Sequence, residues 1–202
     1  MKRIVIADYG LGNLRSVSRG LEKAGGRPVV TADPGELASA DGVVLPGVGA
    51  FRDGMEQLGD LREVIVEASA SVPVLGICLG MQMMLEWSEE QGLHRGLSLV
   101  PGTVRRFPKS PGHKVPHMGW NSLSCVRPDN PLFQGVQAGD YMYFVHSYYA
   151  DTDERHTVAQ TEYIIPFASS IWDERNVFGV QFHPEKSGAR GLRLLKNFLD
   201  LL

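Results

Sequence analysis

Cysteine is scarce in this chain: Cys78 and Cys125 are the two in 202 residues. Two are too few for a disulfide framework, and bridging them would consume the residue that best reads as a nucleophile, so a reducing, cytoplasmic setting is expected. Long apolar runs are also missing. After Met1-Lys2-Arg3 only Ile4 to Ala7 is apolar before Asp8 interrupts, too short for a signal peptide's apolar region and far short of a membrane span. There is no excess of positive charge. A net charge of −3 with both signs interspersed leaves no basic footprint for nucleic acid. Metal-ligand spacing is absent among the six histidines. His113 and His117 are four apart, but Pro111, Gly112 and Pro116 forbid the helix that would align them. Neither a metal nor a cofactor is expected. No repeat or low-complexity linker divides residues 1–202, a length that suits one domain with a full core.

What the chain does have is a strand, a tight turn and a helix with a cysteine at the bend. The apolar run Val72-Pro73-Val74-Leu75 leads into Gly76-Ile77-Cys78-Leu79-Gly80. This is a G-x-C-x-G form of the nucleophile elbow. Gly76 and Gly80 let strand and helix close around the bend. The following helix sets unpaired N–H groups and partial positive charge beside the sulfur, which favours the thiolate. A lone cysteine in apolar company is more often an inert core residue, so the reading needs partners.

The partners lie near the C-terminus. Val177 to Phe182 reads as a buried strand, and His183-Pro184-Glu185 follows it. With extended backbone, side chains two apart leave on one side, so His183 could be a general base and Glu185 the group that orients it. The plainer alternative is a strand-end histidine paired with a surface glutamate. A third piece, Leu45-Pro46-Gly47-Val48-Gly49-Ala50-Phe51, follows the strand-like Gly42 to Leu45. Its backbone N–H groups, with that of Leu79 after the cysteine, could form an oxyanion hole. A phosphate cradle is weaker, because no G-K-[ST] follows.

Around these motifs the first half alternates strand and helix: strands over 2–7, 28–31, 42–45 and 73–77, and helices over 13–24, after the Asp33-Pro34 cap, 51–69 and 79–90. This predicts an α/β fold, an open, mostly parallel sheet flanked by helices. The second half reads as short strands at 96–104, 119–126, 141–150, 157–163 and 167–172, predicting antiparallel additions. Cys125 falls in one of them and reads as structural. Leu192, Leu195, Phe198, Leu199 and Leu202 mark a closing amphipathic helix. The three motifs would meet at the carboxyl ends of the parallel strands.

P-G-V-G-A-F, G-I-C-L-G-M-Q and Q-F-H-P-E-K-S, in this order and spanning essentially the whole chain, resemble the class I, triad-type glutamine amidotransferases. The resemblance implies that Cys78 attacks the side-chain amide of glutamine. It implies that His183 protonates departing ammonia and then activates water, and that Glu185 orients His183. Gly47, Val48, Gly49 and Leu79 would frame the carbonyl, and Gln82, Glu90, Ser147 and Tyr148 would hold the substrate. Asp8-Tyr9-Gly10-Leu11-Gly12-Asn13, Pro116-His117-Met118-Gly119-Trp120-Asn121, Tyr143 to Tyr148, Met81 and Lys186 are most similar to the branch serving imidazole glycerol phosphate synthase in histidine biosynthesis. That branch implies a (β/α)₈-barrel cyclase as partner in a heterodimer. Ammonia must be passed on shielded from water, so a docking face beside the triad is expected, with Met118, Trp120, Tyr143 and Lys186 as candidates. Ordinary core packing is the competing reading for the two aromatics. The glycines of the Gly47-Val48-Gly49 turn also predict that the free chain is a poor glutaminase until a partner docks. The alternatives are an amidotransferase of the anthranilate, carbamoyl phosphate or pyridoxal phosphate type, and a non-catalytic module of the same fold. A cysteine peptidase is disfavoured by the Gly-rich loop and Gln82.

Overall fold

The computed structural model describes residues 2–202. Met1 lies outside the described residues, and so does the side chain of Cys125, with the reading of it as structural. Five parallel strands form the centre: β1 (Ile4–Ala7), β2 (Pro28–Thr31), β3 (Gly42–Gly47), β4 (Val74–Cys78) and, last in the chain, β13 (Val177–Val180). Their order is β2-β1-β3-β4-β13. The crossovers carry α1 (Leu14–Lys23), α2 (Pro34–Ala38), α3 (Phe51–Leu58), α4 (Leu61–Ser69) and α5 (Leu79–Met83). Caps explain two of the starts. Asn13 accepts from the Ser16 N–H, and Asp33 accepts from the Glu36 N–H with Pro34 at the first helical position.

Alternation along the strands sorts the core into two faces. Val5, Val43, Leu45 and Val74 pack with Leu37, Met55, Leu58, Ile65 and Leu79. Ile4, Ile6, Val44, Leu75 and Ile77 pack with Val17, Leu21, Leu194, Leu195 and Phe198. The last three belong to α6 (Gly188–Leu201), the closing helix. The sheet is therefore covered on both sides, as continuous apolar strands require.

Beyond β13 the sheet continues through β12 (Ile165–Trp172), β10 (Tyr148–Asp151), β7 (Val100–Arg106), β5 (Leu85–Ser88) and β6 (His94–Arg95). A branch leaves β12 through β11 (Thr157–Tyr163) to β8 (His117–Val126) and β9 (Tyr141–His146). All the pairings in that branch are antiparallel.

Four segments depart from the sequence expectations by more than two residues at an end or by an internal break. The strand expected over 96–104 starts only at Val100 and runs to Arg106. The helical stretch 51–69 is two helices, broken at Gly59, which has φ 50°. The helix expected over 79–90 ends at Met83, and Leu85–Ser88 joins the sheet beside β7. Pairing with a neighbouring strand outweighs the helical spacing of that segment. The strand expected over 141–150 is two strands, β9 and β10, paired with different neighbours on either side of Ser147.

Candidate active site

The carboxyl ends of β3, β4 and β13 sit side by side, with Gly47 opposite Cys78 and Val180 opposite Ile77. Cys78 caps α5 with φ 55° and ψ −108°, a strained conformation for a residue with a side chain. The bend closes only because residue 80 is glycine. A Cβ there would lie 1.8 Å from the Leu45 carbonyl oxygen.

A cavity of about 360 Å³ opens at this edge, lined by Val48, Gly49, Cys78, Leu79, Gln82, Glu90, Pro116, Val145, His146, Ser147, Tyr148 and His183. Cys78 and His183, 105 positions apart, therefore face one cavity. His183 is buried, and its Nδ1–H donates to Glu185 Oε1 at 2.9 Å. The Glu185 side chain is fully buried, so this is no surface glutamate. The two meet although the backbone is not extended through them: Pro184–Lys186 forms a 3₁₀ turn that carries Glu185 back under the ring. That leaves His183 Nε2 buried without a hydrogen-bond partner.

Electrostatics couple the cysteine to this pair. Burial by itself would lower the His183 pKa, but the Cys78 sulfur and then Glu185 outweigh it and raise the value to about 9. A histidine whose folded pKa lies above its unfolded value of 6.5 adds stability that is complete below 6.5 and is lost as pH rises through about 9. Thermal unfolding of the wild type and Glu185→Gln should accordingly differ most near pH 6 and converge toward about pH 9.5. A constant gap would mean that the folded imidazole is uncharged.

The remaining expected residues fall as follows. Val48, Gly49 and Leu79 line the cavity. Gly49 has φ +101°, a conformation that suits glycine. Gly47 is not on the wall: it closes β3 against Tyr9 and Leu79. Glu90 Oε2 accepts the Phe51 N–H at 2.8 Å, which ties the far wall to the start of α3. Gln82 spends its amide hydrogens inside the protein, on the Tyr148 carbonyl and Gln181 Oε1, both at 2.9 Å. Ser147 and Tyr148 form the opposite wall. Met118 and Trp120 are 64% and 55% exposed on β8, so neither is a core residue. Tyr143 is half-buried edge-on to Trp120, and Lys186 Nζ lies 5.9 Å from the Tyr143 ring.

Sequence reasoning missed three residues near the sulfur. Gln181 donates its Nε2–H to Cys78 Sγ at 3.7 Å, and the thiol points to the Val145 carbonyl at 3.9 Å. Gln181 stands two residues before His183, inside a motif already singled out. Tyr9 Oη donates to the Pro46 carbonyl at 2.6 Å, anchoring the Gly-rich turn. Burial, and then the Cys78 sulfur, hold that phenol well above its usual pKa. His146 enters the cavity wall from β9, inside the segment Tyr143 to Tyr148 already singled out, where no spacing marks it as a wall residue.

The chain matches the family described as "Glutamine amidotransferase class-I" over residues 5–201. It is 54% identical over 203 residues to the "Imidazole glycerol phosphate synthase subunit HisH" of Methanosarcina acetivorans, covering 100% of both chains. It is 50% identical to the protein of the same name from Archaeoglobus fulgidus, covering 98% of each. Two solved structures share the fold. One is PurLQS from Thermotoga maritima (TM-score 0.77, 19% identity, 99% of this chain and 99% of that one). The other is the glutaminase domain of Trypanosoma brucei CTPS with bound acivicin (TM-score 0.72, 19% identity, 100% and 93%). No helix among the described residues is long and apolar enough to cross a membrane.

Proposed function

This chain belongs to the class-I glutamine amidotransferase family, and from that premise we propose that Cys78, His183 and Glu185 hydrolyse glutamine as the glutaminase subunit of an imidazole glycerol phosphate synthase. One observation carries the assignment of roles: the cavity holds Cys78 on its strained elbow together with a histidine whose Nδ1 is committed to Glu185 and whose Nε2 is unspent.

The chemistry follows from those positions. The Cys78 sulfur, as thiolate, attacks the side-chain carbonyl carbon of glutamine, and the carbonyl electron pair moves onto oxygen. The N–H groups of Leu79 and of the Val48–Gly49 turn stabilise that oxyanion, and Gly47 supports the turn from behind. His183 passes a proton to the amide nitrogen, the C–N bond breaks, and ammonia leaves a thioester on Cys78. His183 then takes a proton from water, which attacks the thioester and releases glutamate and the thiolate. Glu185 holds the imidazole orientation throughout. Glu90, Ser147 and Tyr148 contact the amino-acid end of glutamine, and Gln82 supports the wall that they form. All these groups come from residues 1–202 read as one domain.

A synthase subunit has a partner subunit. We take it to be a (β/α)₈-barrel cyclase that accepts ammonia, seated on the face formed by Met118, Trp120, Tyr143 and Lys186. Exposed aromatic and methionine side chains beside a catalytic edge suit an interface core. The Gly-rich turn then gives the partner a means of control. Glutamine turnover by the isolated chain is expected to be about tenfold or more below that of the complex carrying the cyclase ligand. Equal rates with and without the partner would remove the gating. Fed ammonium and mass-spectrometric detection of the partner in the native complex test the pairing itself.

A further inference from the structure

The cavity wall contains a second histidine that the hydrolysis does not use. His146 is buried on β9, and its ring meets that of His117 on β8. We infer that His117 and His146 are positioning residues for glutamine binding: a neutral, one-directional hydrogen-bond chain running from Asn121 through both imidazoles fixes the Tyr148 carbonyl, and with it the Ser147–Tyr148 wall and the Gln82–Gln181 amide pair beside the Cys78 sulfur. This inference rests on the glutaminase reading above.

The direction of the chain follows from its two ends. At one end Asn121 Oδ1 accepts the Ser122 N–H at 2.8 Å, and Nδ2 donates to the Glu162 carbonyl at 3.0 Å, so the amide cannot be turned over. The same Nδ2 stands 3.2 Å from His117 Nε2, which must therefore accept. At the other end His146 Nδ1 stands 2.8 Å from the Tyr148 carbonyl, which can only accept, so this nitrogen carries the proton. His146 Nε2 is then bare. It lies 3.0 Å from His117 Nδ1, which must donate. Each ring has one donor and one acceptor, each is used, and neither ring needs a second proton.

The surroundings favour the neutral forms. Tyr163 stacks on His117 with centroids 4.0 Å apart, Phe144 covers its ring, and Phe107 and Phe167 pack against both imidazoles. The only hydrogen bonds to either ring, among the described residues, come from Asn121, the other imidazole and the Tyr148 carbonyl. Burial lowers the His117 pKa to about 4. It lowers that of His146 to about 3, where the bond to Tyr148 opposes the shift and the nearby His117 and His183 add to it. His146 thus shares the cavity with His183 but has no free lone pair with which to act as a base.

From the Tyr148 carbonyl the chain continues. That oxygen also accepts from Gln82, Gln82 donates to Gln181, and Gln181 donates to the Cys78 sulfur. Losing the imidazole bond would leave the carbonyl and the amide pair free to shift, and glutamine would meet a looser wall.

Nitrogen-15 NMR of the wild-type chain tests the protonation pattern without any variant. Both rings should show Nδ1–H and bare Nε2, unchanged between about pH 6 and pH 8. An Nε2–H ring or an imidazolium at either site overturns the inference. In the complex with the synthase partner, His146→Ala and His117→Ala should raise the glutamine KM about tenfold while kcat changes less than about threefold. His146→Gln, which can both donate to Tyr148 and accept from His117, should recover most of the KM. A loss of kcat as deep as that of His183→Ala, with KM unchanged, would make His146 a catalytic group and contradict the inference. If the alanine variants do not fold, the tautomers of the wild type still decide. Failure of the wild-type complex to hydrolyse glutamine would sink the glutaminase reading alone, whereas reversed tautomers with normal turnover would sink only the positioning role.

Discussion

Cys78→Ala is expected to abolish glutamate release from glutamine, by about four orders of magnitude or more, and to leave ammonia-fed synthesis by the assembled complex near its wild-type rate. The sulfur is the one nucleophile on the cavity wall that stands at the strained bend between β4 and α5. Alanine removes it without adding volume. The Cβ stays where the cysteine Cβ was, so neither the elbow nor the partner face need move. Ammonia made elsewhere bypasses the thioester and reaches the synthase directly. Glutamate release and ammonium-dependent product formation, measured on one preparation, separate the two steps. If the variant also loses the ammonia-fed reaction, glutamine hydrolysis and synthesis are not divided between subunits as described.

The second large effect concerns the elbow itself. Gly80→Ala should destabilise the chain by on the order of 3 kcal/mol or more and remove glutaminase activity in whatever fraction folds. The added methyl would stand 1.8 Å from the Leu45 carbonyl oxygen and 2.8 Å from the Leu45 carbonyl carbon. These are main-chain atoms of β3, so no rotamer change can relieve the contact. Either α5 tilts away from β3 or the strand shifts. Both move Cys78 relative to the Gly-rich turn. Gly25→Ala is a useful contrast: that glycine has φ +102° but open space around it, so any cost there is conformational and leaves the site alone. Denaturant midpoints and circular dichroism would show the difference. A Gly80→Ala chain of wild-type stability would mean that the close packing of α5 on β3 is not what shapes the bend.

Much of this arrangement can be read from residue order. Val72 to Gly80 announces a strand, a bend and a helix start, and the structure has all three. The Asp33 cap starts a helix where side-chain chemistry predicts, and the helix expected from the spacing over 13–24 starts at Leu14 behind an Asn13 cap. Cys78 and His183 follow from motifs, because Cys78 ends β4 and His183 comes just after β13, two strands of the parallel centre, and ligands gather at such ends. Other features depend on contacts that no local pattern carries. Leu85–Ser88 has helical spacing but finds a strand partner in β7, a non-local pairing. The meeting of His183 with Glu185 comes from a 3₁₀ turn rather than from extended backbone. The contact of Gln181 with the sulfur arises where β13 pairs with β4, and that of His146 with His117 where β8 pairs with β9, both long-range pairings. Periodicity reports which face a residue takes, and says nothing of which atom it will meet there.

The sequence names Met118 and Trp120 for a docking face but does not decide the exposure of the aromatic. Both lie on a strand with alternating character, and an aromatic there reads equally well as core or interface. Only the placement of β8 in the branch leaving β12 turns those side chains outward.

The central claim is that the Cys78 sulfur, activated by His183, forms the covalent bond to glutamine. Peptide mapping by mass spectrometry after incubation with a glutamine analogue bearing an electrophilic side-chain carbon, in the presence of the partner, tests it most directly. The predicted result is a single adduct on Cys78, formed far more slowly in His183→Ala and blocked by excess glutamine. An adduct on another residue, or labelling of Cys78 that is indifferent to both His183 and glutamine, would contradict it.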